Sequence, residues 1–161
     1  MEGIPIPVKI HILNRQQALP LNPPAFRLLV QGLARRAFLT EQDLPFSELT
    51  VVLTDDTGMP AYKEGCFGIR QQTDVVSQAY AAVPGIQPAT AELVINAERA
   101  RSEGLSRLGG PSRELALYLA HGLDHLAGHD DDTPVRRQTM RDREIAWLDA
   151  DPSAYAEILS P

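Results

Sequence analysis

The chain holds one cysteine, Cys66, in 161 residues. A single thiol excludes an internal disulfide and suits a reducing compartment. Cys66 is expected to pack as a small hydrophobe. No stretch approaches the roughly 18 consecutive apolar residues that a membrane-spanning helix requires. The opening residues Met1-Glu2-Gly3-Ile4-Pro5 lack the basic segment and apolar core of a secretory signal. The sequence therefore reads as cytoplasmic, with no membrane partner. It contains no internal repeat, low-complexity tract, Walker loop or Rossmann glycine fingerprint. Nor is there an excess of positive charge: 15 Lys and Arg stand against 21 Asp and Glu, a formal net charge of −6. That balance argues mildly against nucleic acid as a ligand, since phosphate wants a basic face. Two points temper it. Carboxylates that hold a metal are neutralised by it, and basic residues cluster locally at Arg35-Arg36, Arg99 with Arg101, Arg107 with Arg113, and Arg136-Arg137.

What is present is the composition of a globular protein, 43 % hydrophobic and 22 % charged. The length suits one domain and buries roughly 70 % of the unfolded surface. Residues 1–161 are read as a single α/β (α+β) domain, a small mixed sheet of about four strands covered by helices. Val8, Ile10 and Ile12 alternate with Lys9 and His11, the period of a half-buried strand, which puts His11 on a polar face. Pro23-Pro24 opens a helix to about residue 39 with Leu28, Leu29, Leu33 and Ala37 on its buried stripe. Further strands are expected at 49–54, 73–80 and 91–97. Asp56 or Thr57 is the expected cap of a short helix with Pro60 in its first turn. A helix over 97–108 should end at Gly109-Gly110, and Ser112 should cap the next. Thr133-Pro134 begins another, to about residue 148, with Met140, Ile145 and Trp147 as core contacts. Residues 149–161 form a tail with a short helix.

The chemistry concentrates in His121-Gly122-Leu123-Asp124-His125-Leu126-Ala127-Gly128-His129-Asp130-Asp131. Positions i and i+4 stack on one helix face, so the imidazoles of His121 and His125 can converge on one ion. Gly128 sits where the helix should end. A third ligand can then follow, and both His129 and Asp131 qualify. Counting Asp131 gives H-x-x-x-H-x-x-G-x-x-D, the metzincin spacing with aspartate for the last histidine. Asp130 and Asp132 could orient an imidazole N–H. In zinc peptidases a glutamate general base follows the first histidine; here it is Gly122, which weakens a peptidase reading. The helix is apolar nearly all round, with Leu115, Leu117, Tyr118, Leu119, Leu123 and Leu126. It should therefore be central, and desolvation there favours the neutral imidazole that a metal needs.

The segment resembles the YbeY family of bacterial rRNA maturation factors, whose signature is H-G-x-L-H-L-x-G-Y-D-H. His121-Gly122, His125-Leu126, Gly128 and Asp130 match it. Asp124 replaces a leucine, His129 the tyrosine, and Asp131 stands where the third histidine belongs. Upstream, Thr73-Asp74-Val75-Val76-Ser77 resembles the family's T-D-V-L-S-F segment, and Glu92-Leu93-Val94-Ile95-Asn96 its G-D-I-V-I-S strand. Leu49-Thr50-Val51-Val52-Leu53-Thr54-Asp55-Asp56 resembles the strand and turn before its short helix. The likeness covers about residues 25–148. The family also carries an arginine in a Y-R-G segment, where this chain reads Cys66-Phe67-Gly68; Phe67 takes the arginine's place and Arg70 follows three residues on.

This resemblance implies a zinc-dependent, single-strand-specific endoribonuclease in rRNA maturation and ribosome biogenesis. One Zn²⁺ per chain would be held by His121, His125 and Asp131, with His129 as the alternative third ligand. Arg70 would clamp phosphate if it substitutes for the lost arginine, since a guanidinium donates bidentately and stays charged. The partners would be single-stranded rRNA and components of the small ribosomal subunit. Two rivals remain open: another metal-dependent hydrolase, of peptides or amides, and a non-catalytic ribosome-associated protein stapled by zinc.

Overall fold

Alternating apolar residues in the short strands create one heavily buried sheet face, and two of the three longest helices cover it. A computed structural model describes residues 8–38, 46–67 and 73–161, with residues 66 and 67 described as backbone. The strands are β1 (Lys9–Asn14), β2 (Glu48–Thr54), β3 (Val75–Tyr80) and β4 (Thr90–Asn96), and the helices α1 (Pro23–Phe38), α2 (Met59–Phe67), α3 (Ala97–Gly104), α4 (Gly110–Leu126), α5 (Pro134–Ala150) and α6 (Pro152–Ala156). The sheet order is β1-β2-β4-β3. β1, β2 and β4 run parallel, and β3 runs antiparallel to β4 along one edge. This is the mixed four-stranded α/β domain expected from the sequence.

Register decides which side chains face the helices. Ile10, Leu49, Ala91 align across the parallel strands, as do Ile12, Val51, Leu93. These residues belong to the main core, together with Leu29, Leu33, Leu115, Leu119 and Leu123 from α1 and α4. The opposite face carries a small second cluster of Val52, Met59, Val76 and Val94 with Tyr62 packed on it, which seats α2. His11 points away from the core, 3.5 Å from the Glu48 carboxylate. It lies on the edge strand opposite β3.

Helix α4 is the hub, fully buried at Leu115, Ala116, Leu119, Ala120 and Leu123. It packs on α1, α3, α5, α6 and both β3 and β4. Gly122 explains how it comes so close to the sheet. A Cβ there would sit 2.8 Å from Leu93 Cδ2 and 3.1 Å from Val75 Cγ2, inside van der Waals contact.

Several local expectations are corrected. Leu28 is 69 % exposed; the buried stripe of α1 runs through Phe26, Leu29, Val30 and Leu33 instead. Asp55, not Asp56 or Thr57, accepts a hydrogen bond from the Gly58 N–H ahead of α2, because Asp56 is drawn to the Asn96 side-chain amide. Helix α3 stops at Gly104, where Pro111 approaches so closely that a side chain would collide with it. Ser112 does not cap α4: Gly109, at φ 83°, occupies that position without a side-chain bond, and Pro111 lies in the first turn. The Thr133 cap of α5 holds, its hydroxyl accepting from the Arg136 N–H. On α5 the buried positions are Met140, Glu144 and Leu148; Ile145 and Trp147 pack only in part.

Candidate metal centre

The last two turns of α4 carry His121 and His125, and the chain then reverses. Gly128 makes the reversal at φ 101°, a conformation that L side chains rarely adopt. Its N–H donates to the His125 carbonyl, and the His129 N–H to that of Asp124. The turn delivers two things to the helix end. The carbonyl of His129 comes 3.1 Å from His125 Nδ1, and the carboxylate of Asp131 comes 3.5 Å from Nε2 of both histidines.

The second ring is oriented from a different element. Glu144, on α5 and 3 % exposed, places its carboxylate oxygens 3.0 and 3.2 Å from His121 Nδ1. Both Nδ1 atoms thus face acceptors and carry the ring protons, which leaves both Nε2 atoms as bare lone pairs. These lone pairs face each other at 3.2 Å. Two acceptors that close repel unless a proton or a cation lies between them.

The donor set fits a divalent ion. One atom each from His121, His125 and Asp131 lies within 4.8 Å of the others. From the three separations of 3.2, 3.5 and 3.5 Å, the nearest point equidistant from all three donors lies about 2.0 Å from each, close to the ~2.0–2.1 Å of a zinc–imidazole bond. Two imidazoles and a carboxylate suit a divalent first-row metal ion. Among the described residues no fourth side chain joins the group. The two histidine side chains are 28 % exposed and that of Asp131 is 36 %, so one side of the group faces solvent.

A cleft of about 500 Å³ opens on that side. One wall is the edge strand and its approach, with Thr73, Asp74, Val75, Val76 and Ser77; Lys63 of α2 also lines it. Ser77 ties this wall to α4, its hydroxyl donating to the Gly122 carbonyl at 3.2 Å.

The other motif residues serve different ends. His129 turns its ring away from the triad, and Nδ1 lies 2.9 Å from Asp124 Oδ1. The same oxygen accepts from Arg143 Nε at 3.0 Å. Asp124 is wholly buried, and its Oδ2 has no hydrogen-bond partner among the described residues. The Asp130 carboxylate accepts the Asp131 N–H and Asp132 pairs with Arg136, so neither orients an imidazole as expected. That role belongs to Glu144 and the His129 carbonyl. Arg70 and Gly68 lie outside the described residues.

Electrostatics follow this layout. Burial pulls the His121 imidazole down, but the Glu144 hydrogen bond and the charges of Glu144, Asp131 and Asp74 outweigh it, and its pKa is raised. The Glu144 carboxyl is also raised: burial lifts it, the His121 bond pulls it down, and the neighbouring Asp124 carboxyl lifts it again.

A sequence profile described as endoribonuclease YbeY matches residues 11–150. The chain belongs to the YbeY family. An endoribonuclease YbeY of Anaeromyxobacter sp. (strain Fw109-5) is 32 % identical over 124 residues, 76 % of this chain and 63 % of that protein. One from Anaeromyxobacter dehalogenans (strain 2CP-C) is 34 % identical over 124 residues, 74 % of this chain and 61 % of that protein. The chain therefore spans about three fifths of the length of these two relatives. Against an endoribonuclease YbeY of Thermus thermophilus it is 33 % identical over 112 residues, 67 % of this chain and 79 % of the other. The solution structure of TM1509 from Thermotoga maritima has the same fold, with a TM-score of 0.58 at 17 % identity over 92 % of this chain and 95 % of that one. No helix among the described residues is long and apolar enough to cross a membrane.

Sequence reasoning missed Glu144. A signal was available: Met140, Glu144 and Leu148 recur every four residues on α5, so an acid sits in the middle of a buried stripe. A buried carboxylate needs a partner, and the histidine pair was the obvious one.

Proposed function

We propose that this YbeY-family chain is a zinc-dependent endoribonuclease that cuts single-stranded rRNA in the cytoplasm, in maturation of the small ribosomal subunit. The observation that carries the reading is the convergence of His121, His125 and Asp131 at the open mouth of a cleft, with no fourth donor among the described residues. A purely structural zinc site is usually closed by four protein ligands, whereas a catalytic one keeps a position for water or substrate. The names of the relatives supply the reaction class.

His121, His125 and Asp131 would hold the ion. Bound there, zinc would supply Lewis-acid polarisation of a phosphoryl oxygen and acidify water. Glu144 and the His129 carbonyl each face an Nδ1, which turns Nε2 of both rings toward the ion and fixes their direction. The β3 wall and α4 confine an extended strand to the cleft beside them. Arg70 is proposed to clamp the phosphate in place of the arginine that Phe67 replaces. Gly122 speaks against a peptidase of the usual zinc type, because its position is pressed on Leu93 and Val75 with no room for a glutamate base.

The test is cleavage of a labelled single-stranded rRNA fragment and of its duplex, with and without chelator. Cutting of the single strand, lost with chelator and regained with zinc, is expected. Intact RNA together with zinc-dependent cleavage of an unstructured protein would establish the peptide or amide hydrolase. Co-sedimentation with small subunits and no cleavage of either would establish the zinc staple.

A further inference from the structure

The cleft beside the metal donors is poor in positive charge. Its described lining contains two acids, Asp74 and Asp131, two histidines, and a single lysine, Lys63. The placement of Lys63 follows from how α2 sits. Met59 and Tyr62 pack on Val52, Val76 and Val94, which fixes the rotation of the helix. Lys63, about 100° further round, then emerges at the helix flank toward the start of β3. There it shares the cleft with His121, His125 and Asp131.

Lys63 is half-buried and forms no ion pair with any described residue. Its side chain lines the cleft, so its charge is available to whatever enters. It also stands four residues before Phe67 on the same helix, about 6 Å along the axis and on the same face. Phe67 is the position at which the family resemblance places an arginine. The charge absent at one turn of α2 is present at the preceding turn.

We infer that Lys63 is a substrate-contacting residue, whose ammonium binds a phosphate of a single-stranded RNA lying in the cleft. The inference rests on the nuclease reading above. An ammonium is a compact point charge without the bidentate fork of arginine. It holds a phosphate with little directional demand, so it contributes chiefly to strand binding and not to alignment of the reacting bond.

The test uses the full chain, metal-free and zinc-loaded, with a fluorescein-labelled single-stranded oligoribonucleotide titrated by anisotropy across a salt series. Lys63→Met keeps the stem and removes the charge; Lys63→Arg keeps both. Lys63→Met is expected to weaken RNA binding about tenfold and to flatten the salt slope by roughly 0.7, the loss of one phosphate contact. Lys63→Arg should bind within about threefold of the parent, and zinc content should be unchanged in both variants. In turnover, Lys63→Met should raise KM more than it lowers kcat. Parent-like affinity and slope in Lys63→Met would overturn the assignment while leaving the nuclease reading standing. A parent protein that neither binds nor cleaves RNA would overturn both.

Discussion

The carboxylate of Glu144 lies 3.0 Å from Nδ1 of His121, across the interface between α5 and α4. It is 3 % exposed, so its ring contact is made at low dielectric, and it decides which nitrogen of His121 is left for the ion. Glu144→Ala should therefore lower zinc affinity about 10–100-fold, the usual cost of deleting a residue that orients a metal ligand. Competition against a chromogenic chelator reads this directly. Unchanged affinity would mean that Glu144 is a fold residue only.

Asp131 and His129 face different partners, and metal stoichiometry tests which of them holds the ion. Asp131 Oδ2 stands 3.5 Å from both Nε2 atoms, whereas the His129 ring is engaged by Asp124. His129→Ala should retain one zinc per chain at its carbonyl-supported site. Asp131→Ala should lose zinc on gel filtration, and Asp131→His should regain it, since imidazole serves as well as carboxylate at a zinc position. Loss of zinc in His129→Ala with retention in Asp131→Ala would reverse the assignment.

The parts legible in the sequence were those governed by local periodicity. The four strands, the central helix and the Thr133 cap all follow from patterns within about a dozen residues. The pairing of His121 with His125 is the same kind of information, because i and i+4 share a helix face. What escaped depends on contacts distant in sequence. Asp56 lost its capping role to Asp55 because Asn96, 40 residues away, binds it. Glu144 reached His121 across 23 residues. Asp124, which replaces a leucine of the family signature, finds its partner in Arg143, 19 residues on. Which of His129 and Asp131 comes to lie beside the histidine pair depends on a single backbone reversal at Gly128, which spacing alone does not orient.

Gly122 sets the distance between the metal helix and the cleft wall. In Gly122→Ala the new methyl would lie 2.8 Å from Leu93 Cδ2 and 3.1 Å from Val75 Cγ2. The site is tightly packed, so the expected cost is about 1–3 kcal/mol, typical of overpacking. Denaturant titration measures it. Because Ser77 hydrogen-bonds the Gly122 carbonyl, the same change should shift β3 against His121 and reduce RNA cleavage beyond what zinc content explains. A variant with parent stability would show that Leu93 simply changes rotamer.

Acid and zinc act on the same groups in opposite directions. The raised pKa of His121, above its ordinary 6.5, means that the metal-free fold binds this proton more tightly than the unfolded chain does. Its stabilisation is full below about pH 6.5 and fades as the pH rises through the raised value. Glu144, also raised from 4.5, has the same sign, with its contribution full below about pH 4.5. Zinc requires neutral imidazoles, so its binding releases protons and strengthens with pH. The gap in Tm between zinc-loaded and zinc-free protein should widen from about pH 5.5 to about pH 8. A gap that stays flat over that range would show that His121 is not a ligand.

Asp124 supplies the sharpest energetic contrast. It is wholly buried, with one oxygen held by Arg143 and His129 and the other without a hydrogen-bond partner among the described residues. Removing Arg143 strands much of that charge. Arg143→Ala should therefore destabilise by roughly 3–5 kcal/mol, the scale for breaking one side of a buried pair. Asp124→Leu removes the buried charge itself and leaves Arg143 and His129, 28 % and 48 % exposed, free to turn to solvent. That exchange should be neutral or stabilising, because well-packed apolar residues often equal or surpass a buried ion pair. The double variant should then be no less stable than Asp124→Leu alone, since Arg143 has lost the charge it served. Chemical denaturation of the three variants closes the cycle. Strong destabilisation by Asp124→Leu would instead mean that the carboxylate carries a partner beyond Arg143 and His129, and Glu144 is the neighbour placed to be it.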